Sequence, residues 1–245
     1  MTQEKIQLPE MVFVQGGKMR LGKDKELAVD LPDFWIGKYS VTNAEFVHFL
    51  NAKGNKEEGG SNWCLLDNDF GISEVDKGKF EVKMGKQSHP VVQISWYGAK
   101  AYCKWLSEET EQNYALPSET QWEYAARGGQ KSGSFIYAGS NNLREVGWFR
   151  QNSHREAKPV GLKLSNELGI HDMNGNVWEW CEDRQYHHYK NAPKDGSAWI
   201  LGNVNIRVCR GGSWDDYDSN CRVIYRYFEY PDDRNYEFGF RVTRY

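Results

Sequence analysis

RGGSW (Arg210–Trp214) and GFR (Gly239–Arg241) bracket the stretch DDYDSNCRVIYRYFEYPDDRNYEF, and the contrast between brackets and filling decides how the chain is read. The brackets are rigid phrases: paired glycines allow close backbone approach, and a tryptophan anchors them. The filling is rich in Tyr, Phe and Asp and holds no Lys, Gln, Met or Trp. Such a composition fits a recognition surface better than a core. Tyr supplies wide amphipathic contact area with little rotamer entropy to lose, while Asp, Ser and Asn supply hydrogen bonds. The alternative is a twisted strand pair with wet aromatic residues. Everything before the first bracket reads as scaffold.

The bulk numbers bound the scaffold. With 245 residues, 39% of them hydrophobic, and 10 Trp, the chain can bury a sizeable core. A net charge of -3 and the lack of any Lys/Arg block argue against nucleic acid, whose nonspecific binding draws on clustered basic side chains. No apolar run approaches the roughly 20 residues that span a bilayer, and the start MTQEKIQLPE has no signal-peptide pattern. A leader or lipid-modified cysteine removed earlier would leave the same start. Cys64, Cys103, Cys181, Cys209 and Cys221 are odd in number and lack CxxC spacing, so neither a disulfide framework nor a zinc site is indicated. They read as buried small hydrophobes.

Taken in order, MVFVQGGKMRL (Met11–Leu21) reads as two short strands joined in a hairpin by Gly16 and Gly17. After the polar segment Gly22–Asp30, LPDFWIGKYSV (Leu31–Val41) reads as another strand. Thr42 with Glu45 forms a capping box for a helix with Ala44, Val47 and Leu50 on one face. Gly54–Gly85 reads as a long loop with a small hairpin. Then VVQIS (Val91–Ser95) reads as a short buried strand, with Ser95 capping a helix whose core face is Ala99, Tyr102, Cys103 and Leu106. Ser118 and Gln121 cap a further helix that stops at Gly128 and Gly129. From Gln130 to Leu168 loops with short strands are expected. No repeat or linker marks a boundary, so one domain over 1–245 is expected, with 210–241 as its ligand-binding region.

The phrases VQGGKMRLG, FWIGKYSVTNAEFVHFL, HPVVQISWYGAKAYCKWL, LPSETQWEYAARGG, LGIHDMNGNVWEW and RGGSW ending in GFRV occur here in one order. In that order they resemble the formylglycine-generating-enzyme-like family, over nearly the whole chain. The resemblance implies an α+β domain of the irregular C-type-lectin-like kind, with two helices, twisted antiparallel strands and extensive loops. That family holds enzymes and binding proteins, so the site must decide function. Its oxidases use a pair of cysteines after the GGS phrase to hold copper(I). Here the second matches Cys221, but the first falls at Asp216. A carboxylate is a hard ligand and does not replace a thiolate for copper(I). A second branch, iron-dependent sulfoxide synthases, adds a helical domain with an HxxxH-type arrangement that the residues before Met11 do not supply. The adjacent His187 and His188 read as loop residues.

A third branch is more similar: the variable proteins of diversity-generating retroelements, which end near GFRV with a hypervariable segment before it. In those systems template adenines are randomised in codons that cannot encode Lys, Gln, Glu, Met or Trp. Asp215, Asp216, Tyr217, Ser219, Asn220, Ile224, Tyr225, Tyr227, Phe228, Tyr230, Asp233, Asn235, Tyr236 and Phe238 are all encodable that way and are the candidate ligand-binding residues. Glu229 and Glu237 are not, and would be fixed. Arg222, Arg226 and Arg241 offer bidentate partners for buried carboxylates.

In LGIHDMNGNVWEW the family's enzymes hold a calcium ion. The resemblance carries that structural site to the side chains of Asp172 and Glu179 and the carbonyls of Gly175 and Val177. The alternative is a tight turn capped by Asn174 and Asn176. The sugar-binding phrases of true C-type lectins are absent. The expected function is thus a non-enzymatic ligand-binding protein, with no required cofactor, displayed on a bacterial or phage surface, whose diversified tyrosine-rich surface recognises protein targets at a host or neighbouring-cell surface. A formylglycine-generating-enzyme-like catalyst, or a degenerate relative, is the alternative.

Overall fold

The computed structural model describes residues 6–22, 27–66, 71–189, 191–202 and 204–245. The MTQEK start, part of the polar segment after Gly22 and part of the Gly54–Gly85 loop lie outside them. In chain order the elements open with β1 (Met11–Val14), β2 (Gly17–Leu21), β3 (Leu27–Leu31), β4 (Phe34–Gly37) and α1 (Asn43–Lys53). Two small hairpins follow, β5 (Glu57–Glu58) with β6 (Ser61–Asn62) and β7 (Ile72–Asp76) with β8 (Lys79–Val82). Then come α2 (Trp96–Thr110), β9 (Tyr114–Ala115), α3 (Glu119–Ala126), the single-turn α4 (Leu143–Val146) and β10 (Trp178–Arg184). The chain closes with β11 (Arg207–Arg210), β12 (Arg226–Glu229), β13 (Phe238–Gly239) and β14 (Thr243–Arg244).

The three longer helices start where their caps put them. The Thr42 hydroxyl accepts from the Glu45 amide at 3.3 Å while the Glu45 carboxylate accepts from the Thr42 amide at 2.7 Å. Ser118 and Gln121 exchange the same pair of bonds, each at 3.0 Å, and Ser95 accepts from the Gly98 amide at 3.1 Å. Each cap satisfies amides that the first turn leaves without partners. Helix α2 buries Ala99, Tyr102, Cys103 and Leu106 as its periodicity requires. Helix α1 is rotated from the expected face: Ala44 and Val47 are only half-buried, and Phe46, Phe49 and Leu50 fill the core. Rings of Phe46, Phe49, Tyr102 and Phe240 meet there at 5.2–6.1 Å, so the larger aromatic area sets the helix's orientation.

Two local expectations are corrected. Strands β1 and β2 form no hairpin with each other, because β1 pairs with β4 (Val12 opposite Ile36) and β2 with β3 (Met19 opposite Val29). The glycines let the chain step between sheets instead of reversing: a Cβ on Gly16 would lie 2.2 Å from the Leu31 carbonyl oxygen. VVQIS is buried but is not a strand. Gln93 sits at φ +58°, outside the extended region, and Ile94 makes only an isolated bridge to Cys64.

Of the two four-stranded sheets, one runs β1-β4-β14-β9 and the other β12-β11-β10-β13, with β10 and β13 parallel. The chain's end thus lies between β4 and β9, and the 226–229 strand is an edge. A buried polar lock joins the two sheets. The Arg241 Nε and Nη2 donate to the two Glu179 oxygens at 2.6 and 2.8 Å, and Nη1 donates to the Gly37 carbonyl at 2.9 Å. Ser40 Oγ and Trp122 Nε1 each donate to the same carboxylate at 2.7 Å. A second lock has Arg210 donating to Glu119 at 2.6 Å and to Glu123 at 2.7 Å, with Arg226 donating to both Glu119 oxygens. Burial works to raise the Glu119 pKa, but the two guanidinium groups prevail and hold it below the usual range.

Removing one partner of a buried pair leaves an uncompensated charge. Arg241→Met is therefore expected to cost about 3–5 kcal/mol in urea unfolding, and the double variant Glu179→Met/Arg241→Met to cost less than Arg241→Met alone.

Candidate ligand-binding face

Strand β11 ends at Arg210, and the next two glycines turn the chain at φ +102° and +79°. A Cβ on Gly212 would meet the Cys221 sulfur at 2.7 Å, so the turn is built against the returning chain. The MNGN turn docks on it: the Gly175 amide donates to the Gly211 carbonyl at 2.7 Å and the Trp214 amide to the Asn176 carbonyl at 2.9 Å. From this base residues 215–225 loop outward, β12 runs along the sheet edge, and 230–237 leads into β13.

The structure sorts the sequence-predicted residues. Tyr217, Ser219, Tyr225, Tyr227, Tyr230 and Tyr236 are exposed. Asp215, Asp216, Asn220, Ile224, Phe228, Asp233 and Asn235 are half-buried. Phe238 is corrected: at 3% exposure it is a core residue, its ring 5.2 Å from Trp180 and its backbone paired with Trp178 across β13 and β10. Phe228 points to the opposite side of the edge strand from Tyr227, packing under the Arg226 guanidinium and against the buried cluster that holds Val14, Trp122 and Val208. The Asn235 carbonyl oxygen of the side chain accepts from the Glu237 amide at 3.2 Å, holding the loop.

What comes together is a line of rings over tryptophans. Tyr227 stacks on Trp178 at 5.1 Å and Tyr225 lies beside it at 6.0 Å, while Tyr236 leans on Trp214 at 5.7 Å. Arg150 was missed by sequence reasoning. Its Nη1 donates to the Tyr217 hydroxyl at 2.9 Å, its Nε lies 3.3 Å from the Asp215 carboxylate, and its guanidinium stands 4.7 Å from the Tyr217 ring. Trp178 was not among the sequence candidates. Its partner Tyr227 is on a strand two places away in the sheet, and no sequence signal joins them.

Beneath the rings Ser213 sits between two carboxyls. Its hydroxyl lies 2.7 Å from Asp216 Oδ2 and 2.5 Å from Glu237 Oε2, and its oxygen also accepts from the Asp215 amide at 3.2 Å. A hydroxyl has one proton to give, so the second contact requires a proton from one of the carboxyls. Burial pushes the pKa of both Asp216 and Glu237 up, in keeping with one retained proton. The groups facing the pair are Trp178, Asn220, Asp215 and Arg150. Asp216 is thus also tied inward, with its second oxygen accepting from Asn220 at 3.1 Å. Cys221 is buried, and burial pushes its thiol far above the ordinary range, so it is no thiolate at neutral pH.

At Glu179 the calcium assignment does not fit. Calcium needs oxygens free to face it. Both Glu179 oxygens face N–H or O–H donors, and the Arg241 guanidinium takes the place a cation would hold. One Asp172 oxygen accepts from the Gly161 amide at 2.7 Å and the other is a buried acceptor without a partner. Gly175 and Val177 flank Asn176, whose side chain exchanges bonds with the Lys158 backbone, the capped turn that was the alternative. Among the described residues no group of three His, Cys, Asp or Glu side chains is arranged to hold a metal.

Comparison with known proteins gives the wider setting. The chain matches the family described as "Sulfatase-modifying factor enzyme 1-like domain" over residues 1–245. It is 31% identical over 246 residues to serine/threonine-protein kinase Pkn1 of Chlamydia trachomatis, covering 97% of this chain and 38% of that protein. The chain therefore spans less than two-fifths of that relative. Similarity to the formylglycine-generating enzyme of Streptomyces coelicolor is 28% over 289 residues, 99% of this chain and 89% of the enzyme. Treponema denticola variable protein 1 superposes with a TM-score of 0.76 at 22% identity, covering 96% of this chain and 94% of that one. That likeness establishes the α+β fold expected from the sequence.

Substitutions should separate face from frame. Tyr217→Ala and Tyr230→Ala, 60% and 59% exposed, are expected to cost about 0.5 kcal/mol or less in thermal unfolding, against about 3–5 kcal/mol for Phe238→Ala. The carboxyl pair gives a pH signature. Its folded pKa values lie above the unfolded ones, so its stabilising contribution is complete below the unfolded values and is lost as pH rises through the folded ones. Melting curves from about pH 4 to about pH 7 should therefore show Glu237→Gln losing less stability than the parent chain.

Proposed function

The chain belongs to the sulfatase-modifying factor enzyme 1-like family, and from that premise we propose that it is a ligand-binding member rather than a catalyst. Its C-terminal face is the binding surface, and diversification by a retroelement is the origin of that face's composition. The observation that carries this reading is the division within residues 215–238. Tyr217, Tyr225, Tyr227, Tyr230 and Tyr236 are exposed, whereas Cys221, Val223 and Phe238 are buried. The frame is completed by groups outside the exposed set, so the outward side chains can change without unfolding the protein. Tyrosine-lined faces of ordinary interface size, roughly 800 Å² per partner, suit protein targets. Such a role calls for display at a bacterial or phage surface.

The copper oxidase reading has less support. Position 216 carries a carboxylate hydrogen-bonded to Ser213, and the one matching thiol is buried and protonated. Soft thiolate ligation needs two accessible sulfurs. Titration with copper(I) and a cysteine peptide under oxygen should give no oxygen consumption above a metal-only control. Turnover that disappears in Cys221→Ser would overturn the proposal. The diversified-ligand reading is checked in the neighbouring DNA: a reverse transcriptase and a template copy of the codons for 215–238 are expected, with adenines at the codons of the exposed tyrosines. Their absence would remove diversification while leaving ligand binding to be tested by itself.

A further inference from the structure

Beside Trp214 and Tyr236 lies a groove of about 260 Å³ that the reading above does not use. We propose that it is a socket for the C-terminal residue of a peptide, taking an apolar side chain against the rings and the α-carboxylate on Arg155. The inference rests on the reading of the C-terminal face as a ligand-binding surface and names the chemistry of one anchor point.

The first support is shape. The volume falls below the roughly 300–1,000 Å³ of sites that enclose drug-sized molecules, so it suits one residue and not a folded segment. Pro90, Val92 and Ala157 line it together with the two aromatic rings, so its lining offers apolar surface for a side chain.

The second is charge. Glu156 at the rim is already answered by Lys158 at 2.6 Å and Lys86 at 3.7 Å. Arg155, also on the rim, is exposed, and its guanidinium makes no hydrogen bond or ion pair with the described residues. His89 adds no charge at neutral pH: burial, and then Lys86, hold its pKa down at about 4. An unanswered guanidinium beside an apolar trough calls for a group holding a carboxylate within a bond or two of an apolar body. An apolar C-terminal residue has that form; an aspartate or glutamate side chain lacks the apolar body.

The third is backbone. His154 and Arg155 are consecutive non-glycine residues at φ +58° and +61°. Each left-handed residue costs about 1 kcal/mol, and the pair is held by the Arg155 amide donating to Ser153 Oγ at 3.2 Å. The Arg155 side chain that lines the groove is carried on that strained step.

The test is a fluorescence titration of the whole chain with N-acetyl-phenylalanine, N-acetyl-phenylalaninamide and N-acetyl-aspartate amide. The free acid is expected to bind about tenfold more tightly than the amide, with a salt-sensitive advantage that Arg155→Gln abolishes while leaving the amide's affinity unchanged. Equal affinity of acid and amide, no saturation in the millimolar range, or equal binding of the aspartate amide would each overturn the assignment. Arg155 lies outside residues 210–241, so such failure leaves the reading of the C-terminal face standing; that reading falls on the DNA and oxygen-consumption results instead.

Discussion

The carboxylate of Glu179 is the point on which this structure turns. It lies at the centre of the molecule, on a strand of one sheet, and every acceptor it offers is taken by a different part of the chain: Ser40 before α1, Trp122 in α3, and Arg241 just ahead of the last strand of the other sheet. A buried charge pair gains little net stability over a hydrophobic replacement, but it is costly to mismatch. Its effect is therefore one of specification. Only a chain whose final residues return to the middle of the first sheet gives Glu179 its cation, and that return fixes where residues 211–238 must begin and end.

Clamping both ends of a segment leaves its middle free to serve another purpose. Arg210 holds the near end through Glu119 and Glu123, and Arg241 holds the far end. Beyond the Trp214 anchor and before Gly239 the inward residues are few, Cys221, Val223, Pro231 and Phe238, with Phe228 and Arg226 covering the inner side of the edge strand. The tyrosines on the other side stay exposed, with Tyr225 and Tyr227 laid over the buried Trp178 rather than inserted among the core residues. An edge strand with unpaired backbone groups is also a place where a partner chain can approach, and bulky exposed rings along it favour side-chain recognition over strand addition.

How much of this was legible in the sequence follows the range of the interactions. The caps at Thr42, Ser95 and Ser118 were read correctly because both partners lie within four residues and the geometry is local. The Met11–Leu21 hairpin was misread because strand pairing is settled by distant chain: β4 takes β1, and β3 takes β2. Codon encodability put Phe238 with the candidate set, yet it is buried, because encodability carries no information on which side chains a strand turns inward, and that depends on which sheet receives the strand. Arginine partners were anticipated for buried carboxylates, but nothing joined Arg241 to Glu179, 62 positions away, or Arg150 to Tyr217, 67 positions away.

The residues beneath the rings show how one position redirects a shared scaffold. A cysteine at 216 would put a sulfur near Ser213 and leave that hydroxyl free to serve whatever binds there. Asp216 instead accepts from the Ser213 amide and faces its hydroxyl, which Glu237 approaches from the other side, so three polar groups satisfy one another below the surface. The result is a floor of mutually hydrogen-bonded side chains beside Trp178 and Trp214. Rigidity of that kind favours recognition: affinity from a few aromatic anchors depends on their being held in place before the ligand arrives. The same hydrogen bonds that tie Asp216 inward therefore steady the buried Trp178, against which the exposed rings of Tyr225 and Tyr227 lie.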